Sequence, residues 1–262
     1  MIAIPLLAAA IQWGGPGIFC WIIALTAGTA LFELLAMASV RSLLIRLTVM
    51  TAGVGIVLLV HHYRTHLAAE GMRFQNSLSG AVMTVPAVLA FAVLLSILAR
   101  YPGKTVFIDP PFLYILGVLY ISLFLSYLIV LYNGPSGREW IFFVLIVLWC
   151  NDSGAYAFGR TIGRRKLSPL VSPNKTVEGF LGAFASLAVL GWAFSFLTPF
   201  SALHAVCAGM LISGAGFVGD VVISMVKRDI GVKDSGNLLP GHGGILDRVD
   251  SLTYTAPLFF HF

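Results

Sequence analysis

Long runs of apolar residues, broken by short polar loops, set the pattern of this chain. A helix needs about 20 apolar residues to cross the hydrocarbon of a bilayer. Stretches of that kind lie at 17–39, 42–60, 77–99, 112–132, 139–159, 178–198 and 202–226. Shorter apolar segments at 1–13 and 249–262 bring the expectation to about nine spans. The runs do not alternate apolar and polar residues as barrel strands do, and a helix satisfies its own backbone hydrogen bonds in lipid. The pattern therefore predicts an all-α polytopic membrane protein, a bundle of about nine transmembrane helices. No internal repeat or low-complexity tract divides it, so residues 1–262 read as a single integral membrane domain.

Composition sharpens this reading. The chain is 58% hydrophobic and 10% charged, with a mean hydropathy of +0.93. A soluble domain normally carries about a quarter or more charged residues on its exterior, so the solvent expected here is lipid. Cys20, Cys150 and Cys207 have no metal or redox spacing and read as packing residues. The N-terminus is apolar from Ile2 and lacks the basic flank of a cleaved signal peptide, which makes it the expected first span, with a short beginning.

Charge adds orientation. If the polar loops 160–177 and 227–248 both face the cytoplasm, alternation through the spans places 13 of the 16 Lys and Arg residues inside, including Arg41, Arg46, Arg100 and Lys104. Arg64, Arg73 and Arg138 remain outside. That asymmetry predicts a cytoplasmic N-terminus and an external C-terminus. Polar groups concentrate after Asn151: residues 1–150 are mainly apolar span, and 151–250 form the expected catalytic portion around a polar, cytoplasm-facing cavity. Asn151-Asp152-Ser153 and Asn174-Lys175-Thr176 fit the glycosylation sequon, but one lies in a span and the other in a cytoplasmic loop, so neither is expected to be modified.

Carboxylates within spans cost about 2.5–3.5 kcal/mol on insertion scales and call for a partner or a purpose. Glu33, Asp152 and Asp220 are such residues. Glu33 has no motif near it and reads equally as a buried interhelical hydrogen bond, an interfacial position or a functional group. Asp220 sits in GAGFVGDVVISMVKR, where helical spacing puts Asp220, Ser224 and Lys227 on one face. Asp220 and Lys227 are two turns apart, too far for a simple intrahelical pair. The next stretch, DIGVKDSGNLLPGHGGILDRVDS, is dense in Gly, Pro, Asp and Asn and suits a tight return to the membrane. Gly243 and Gly244 would let the backbone approach a ligand, and Asp247 and Asp250 follow at i, i+3 spacing. Carboxylates for a Mg²⁺ ion, and Lys227, Arg228, Lys233 and Arg248 for phosphate charge, suggest phosphate chemistry by positioning and electrostatic stabilisation. A basic loop contacting anionic lipid would explain the cations but not the Asp and Gly arrangement.

At this point a family resemblance becomes specific. Ser224 to Asp250, SMVKRDIGVKDSGNLLPGHGGILDRVD, resembles the signature of the phosphatidate cytidylyltransferases (CDP-diacylglycerol synthases) over its whole length. NDSGAYAFGR (Asn151–Arg160) and SPNKTVEG (Ser172–Gly179) resemble upstream elements of the same family, so the similarity covers most of 151–250. Ser153 stands where Thr is frequent and keeps the hydroxyl, whereas Asn174 stands where Lys is frequent and removes a charge beside Lys175.

The resemblance implies that Asp220 and Asp247 hold a catalytic Mg²⁺, with room for a second cation. Phosphatidate would attack the α-phosphorus of CTP, giving CDP-diacylglycerol and pyrophosphate at the inner membrane of a bacterial-type cell. Lys175, Lys227 and Arg228 would hold triphosphate or lipid phosphate, and Asp152 and Ser153 would line the polar cavity. Ser172, Asn174, Thr176, Ser224, Lys233, Asp234, Gly243, Gly244, Arg248 and Asp250 complete the implied substrate-binding set. His242 reads as a proton relay, a phosphate donor or a structural cap. Membrane lipid is an expected partner, a homodimer is open, and nucleic acid is not expected. Competing readings are a polyprenol kinase, an enzyme of archaeal ether lipids, and a secondary transporter with ions at broken helices. The long C-terminal signature argues against the first two. A transporter has no need of the phosphate-suited loop.

Overall fold

A computed structural model describes residues 3–69, 110–168, 171–196, 201–238 and 243–262. The helices are α1 (Ala3–Trp13), α2 (Gly15–Met37) and α3 (Leu43–Ala69), followed by α4 (Pro110–Gly117), which runs through a π-helical segment (Val118–Leu123) into α5 (Phe124–Tyr132). Then come α6 (Gly137–Thr161), strands β1 (Lys166–Ser168) and β2 (Ser172–Thr176), α7 (Val177–Phe194), α8 (Ala202–Ile230) and α9 (Leu246–His261).

Local chemistry sets several of these boundaries. Proline in the first turn of α2 lacks only an N–H that would be unpaired there anyway. The Thr176 side chain accepts from the Gly179 amide and caps α7. At its other end α8 stops where Gly231 turns to a left-handed φ of 85°, with Lys227 and Arg228 at the negative end of the helix dipole.

Six helical stretches are long and apolar enough to cross a membrane: Gly15–Met37, Leu43–His66, Leu113–Tyr132, Gly137–Thr161, Val177–Phe194 and Ala202–Ile230. They overlie six of the apolar runs, and the protein is an integral membrane protein. The run at 77–99, like Arg73, Arg100 and Lys104, lies outside the described residues. The two terminal segments are helices of 11 and 16 residues, shorter than the usual crossing. Trp21, Leu44, Trp192 and Leu203 are exposed on outer faces, as a bundle solvated by lipid requires. Cys20 is buried, but Cys150 and Cys207 are exposed, so only the first is a packing residue.

The purely helical expectation needs one amendment. Within 160–177, β1 and β2 pair antiparallel, with Lys166 opposite Thr176 and Ser168 opposite Ser172. The Arg165 carbonyl accepts from Val177 N, and Glu178 accepts from the Arg164 and Arg165 amides, tying the hairpin to the start of α7. A two-stranded sheet has open edges, which lipid cannot satisfy, so this hairpin belongs to the polar boundary.

Among the described elements, α6 packs on α7, α7 on α8 and α8 on α9, while α2 packs on α3 and both meet the α4–α5 stretch. The larger core joins Ala27 and Leu31 of α2, Ile121 and Leu125, and Tyr254 of α9. A second core, with Phe143, Val147, Leu187, Ile212 and Phe259, fills the space among α6 to α9. The polar residues of the C-terminal half lie where these four helices converge.

Candidate active site

Two cavities meet in the C-terminal half. One, of about 550 Å³, is polar and is lined by Asp152, Asp220, Lys227, Asp234, Asp247, Arg248 and Asp250, among others. Its neighbour, of about 270 Å³, is bounded by Asp152, Tyr156, Asn174, Lys175, Thr176, Phe180, Phe217 and Asp220, among others. Asp152, Asp220 and Ser251 line both and form their common wall. Gly219 allows this arrangement: a Cβ there would stand 2.4 Å from the Asp250 carbonyl oxygen. The backbones of α8 and α9 thus touch immediately beside Asp220.

Asp220 projects from α8, where the Ser224 hydroxyl one turn on donates to it at 3.1 Å. Its other oxygen forms an ion pair with Lys175 of β2, and the Lys175 ammonium also lies 4.8 Å from the centre of the Phe217 ring. Asp247 occupies the first turn of α9. Lys227 donates to its Oδ1 at 2.6 Å, while Oδ2 is met by Ser235 N at 2.9 Å, Ser235 Oγ at 2.9 Å and Gly244 N at 3.2 Å. Burial pushes the Asp247 carboxyl up, but the Lys227 and Ser235 hydrogen bonds outweigh it and hold the group below its ordinary value. Asp250 is buried, and its Oδ1 accepts from the Ser251 amide at 2.6 Å.

The model of the cytidylyltransferase family matches residues 1–262. The chain belongs to the cytidylyltransferase family. It is 41% identical over 174 residues to the phosphatidate cytidylyltransferase of Bacillus subtilis, covering 65% of each chain. Against the protein of the same name from Staphylococcus saprophyticus it is 40% identical over 169 residues, 63% of this chain and 64% of that one. It is 50% identical over 131 residues to the uncharacterized protein YnbB of Escherichia coli K12, covering 50% of this chain and 44% of that protein. The matches span between 44% and 65% of these relatives' lengths.

Most residues singled out in this cytidylyltransferase-family sequence converge on the two cavities. Asp152, Asp220, Lys227, Asp234, Gly243, Asp247, Arg248 and Asp250 line the polar one, and Asn174, Lys175 and Thr176 the other. Ser224 supports Asp220. Ser153, Ser172 and Lys233 line neither. Arg228 lines neither as well: its guanidinium donates to the carbonyls of Val171 and Val232, both at 3.1 Å, and clamps the hairpin to the end of α8. Gly244 lines neither cavity, and a Cβ there would collide with Ser235 and Glu33. His242 lies outside the described residues.

Three features escaped the sequence. Glu33 reaches the loop before α9, Ser235 sits between Glu33 and Asp247, and Ser213 donates to Asn151 at 2.7 Å to join α8 to α6. The signal for Glu33 was its cost in a span. Ser235 and Asn151 lay inside the quoted motifs without anything to set them apart from their neighbours.

The donor set suits a hard divalent cation. Five aspartates line the polar cavity together with Lys227 and Arg248, and carboxylates are the oxygen donors such an ion takes. Among the described residues no group of three or more His, Cys, Asp and Glu side chains could hold a metal on its own. Mg²⁺ at phosphate sites commonly takes one or two carboxylates and completes its shell with water and substrate oxygens.

Proposed function

We propose that the chain is a phosphatidate cytidylyltransferase, converting CTP and phosphatidate to CDP-diacylglycerol and pyrophosphate. The observation that carries this reading is the common wall of Asp152, Asp220 and Ser251, which joins an acidic chamber with two cations to a second chamber containing aromatic side chains. The names of the Bacillus and Staphylococcus relatives support the substrates.

Asp220 and Asp247 would hold Mg²⁺, with a second cation between them; Asp152, Asp234 and Asp250 line the same cavity. When bound, the metal offsets phosphate charge and withdraws electrons from the phosphorus under attack. Lys227 and Arg248 face the polar chamber and are suited to the triphosphate, while Lys175 stands at the other chamber beside Asp220. A phosphatidate oxygen forms a bond to the α-phosphorus, the bond from that phosphorus to the bridging oxygen breaks, and pyrophosphate leaves. The protein works by aligning two anions and screening their repulsion.

In the bilayer the bundle has about nine spans, a cytoplasmic N-terminus and an external C-terminus, and the cavities open to the cytoplasm. The loops 160–177 and 227–248, which hold nine Lys and Arg residues together, share that side. Cysteine labelling from each face of sealed vesicles tests this, and labelling of the two loops from opposite faces would overturn it. The activity is tested by pyrophosphate release from purified protein with phosphatidate and each of the four ribonucleotides. Release is expected with CTP and phosphatidate together. An equal response to ATP, or turnover of a free lipid alcohol, would move the assignment to a lipid kinase.

A further inference from the structure

Glu33 lies on α2, more than 200 residues away in sequence from the groups it contacts, and is only 3% exposed. Its Oε1 accepts from Ile245 N at 3.0 Å, and its Oε2 accepts from Leu246 N at 2.9 Å. Ser235 Oγ lies 3.2 Å from the same Oε2 and 2.9 Å from Asp247 Oδ2. A buried carboxylate is costly unless donors surround it. Here the donors are the first amides of α9, whose helix dipole also favours an anion at this end.

The neighbouring glycines are shaped to this side chain. A Cβ on Gly236 would stand 2.9 Å from Glu33 Oε1, and one on Gly244 would stand 2.4 Å from Oε2. The segments that close on Glu33 are also those that supply Ser235 N and Gly244 N to Asp247 Oδ2.

We propose that Glu33 is a positioning residue for the catalytic centre, clamping Ser235 and the Ile245 and Leu246 amides together at the start of α9 so that Asp247 presents Oδ1 to the cavity for a divalent cation. This rests on the cytidylyltransferase reading for its catalytic consequence. The geometric consequence is independent of that reading. Groups that orient a metal ligand without touching the metal typically change affinity or activity about 10–100-fold when lost.

Glu33→Gln keeps the shape of the side chain but replaces one acceptor oxygen with an NH₂ group facing an amide donor. In the purified full-length protein, Mn²⁺ titration followed by electron paramagnetic resonance should show binding weakened about 10–100-fold. Amide exchange at Ile245 and Leu246 should quicken in the metal-free state. With CTP and phosphatidate, kcat should fall by a similar factor and the Mg²⁺ concentration for half-activation should rise, while KM for CTP stays within about twofold. A merely structural role would lower the folded fraction and leave kcat per folded molecule and Mn²⁺ affinity unchanged. That result overturns the proposal. If Glu33→Gln does not fold, Ser235→Ala takes its place: it removes the hydroxyl between the two carboxylates and keeps the backbone donors. Wild-type Mn²⁺ affinity in Ser235→Ala would then overturn the proposal, and a severalfold loss would sustain it. A wild-type protein whose Mn²⁺ affinity falls on Glu33→Gln but which does not turn over CTP refutes the proposed activity and leaves the positioning role standing.

Discussion

The two carboxylates at the centre of the site are held in opposite ways. Asp220 stands well inside the 29-residue helix α8, and its cationic partner, Lys175, comes from a hairpin strand; the side chains are 32% and 25% exposed. Asp247 begins a helix, is paired with Lys227 at 13% and 10% exposure, and has a cage of donors around its second oxygen. Asp220 is therefore placed by a rigid scaffold, and its partly exposed pair with Lys175 is less costly to part than a fully buried one. Asp247 is placed by its surroundings. Its Oδ2 is committed to three donors, and only Oδ1, shared with Lys227, is open to exchange.

The largest effects should erase the difference. Asp220→Asn and Asp247→Asn each keep the side-chain shape and remove a full charge, and each is expected to lower Mg²⁺-dependent turnover by on the order of 10²–10³-fold. Because the two act as a unit, the double variant should be scarcely worse than either single one in a steady-state pyrophosphate assay. Multiplying losses would mean that the carboxylates act separately.

Stability should separate them. Lys227→Met strips a nearly buried carboxylate of its counter-charge, at a cost of about 3–5 kcal/mol, while Lys175→Met breaks a partly exposed pair worth about 0–1 kcal/mol. Thermal unfolding in one detergent compares the two directly. Similar midpoints would show that solvent reaches both pairs equally. In kinetics Lys175→Met is expected to raise KM for CTP about tenfold, a loss of 1.4 kcal/mol, with kcat little changed. A change confined to kcat would place Lys175 at the reacting atoms instead. Thr176→Ala, which uncaps α7 beside Lys175, costs about 1 kcal/mol and should lower the melting midpoint by about 2–4 °C, leaving kcat and KM for CTP unchanged.

The contrast also marks how far sequence could reach. The face shared by Asp220, Ser224 and Lys227 follows from helical periodicity alone, and the Ser224 hydrogen bond to Asp220 sits where that spacing puts it. The partners of these residues do not follow, because Lys175 and Asp247 arrive from other elements and no spacing encodes the meeting. Arg228 illustrates the same limit: its charge suggested phosphate, but two nearby carbonyls needed donors and took it. Glu33 was visible only as an expense in an apolar run. Its use depends on α2 lying against the start of α9, a matter of tertiary packing. The six long runs were legible because lipid admits so few alternatives to a helix, whereas the hairpin lies in polar surroundings where that constraint lapses.

The length of α8 sets a depth for the chemistry. At 1.5 Å per residue its 29 residues extend about 44 Å, well beyond the roughly 30 Å of hydrocarbon. A crossing that starts at Ala202 reaches the opposite boundary after about 20 residues, beside Asp220. The remaining turns, with Lys227 and Arg228, extend past that level. A phosphate already anchored by its acyl chains floats at that same level. The lipid would meet its reaction partner without being lifted from its leaflet, and the nucleotide would be the traveller, descending from water to the plane where the phosphate waits.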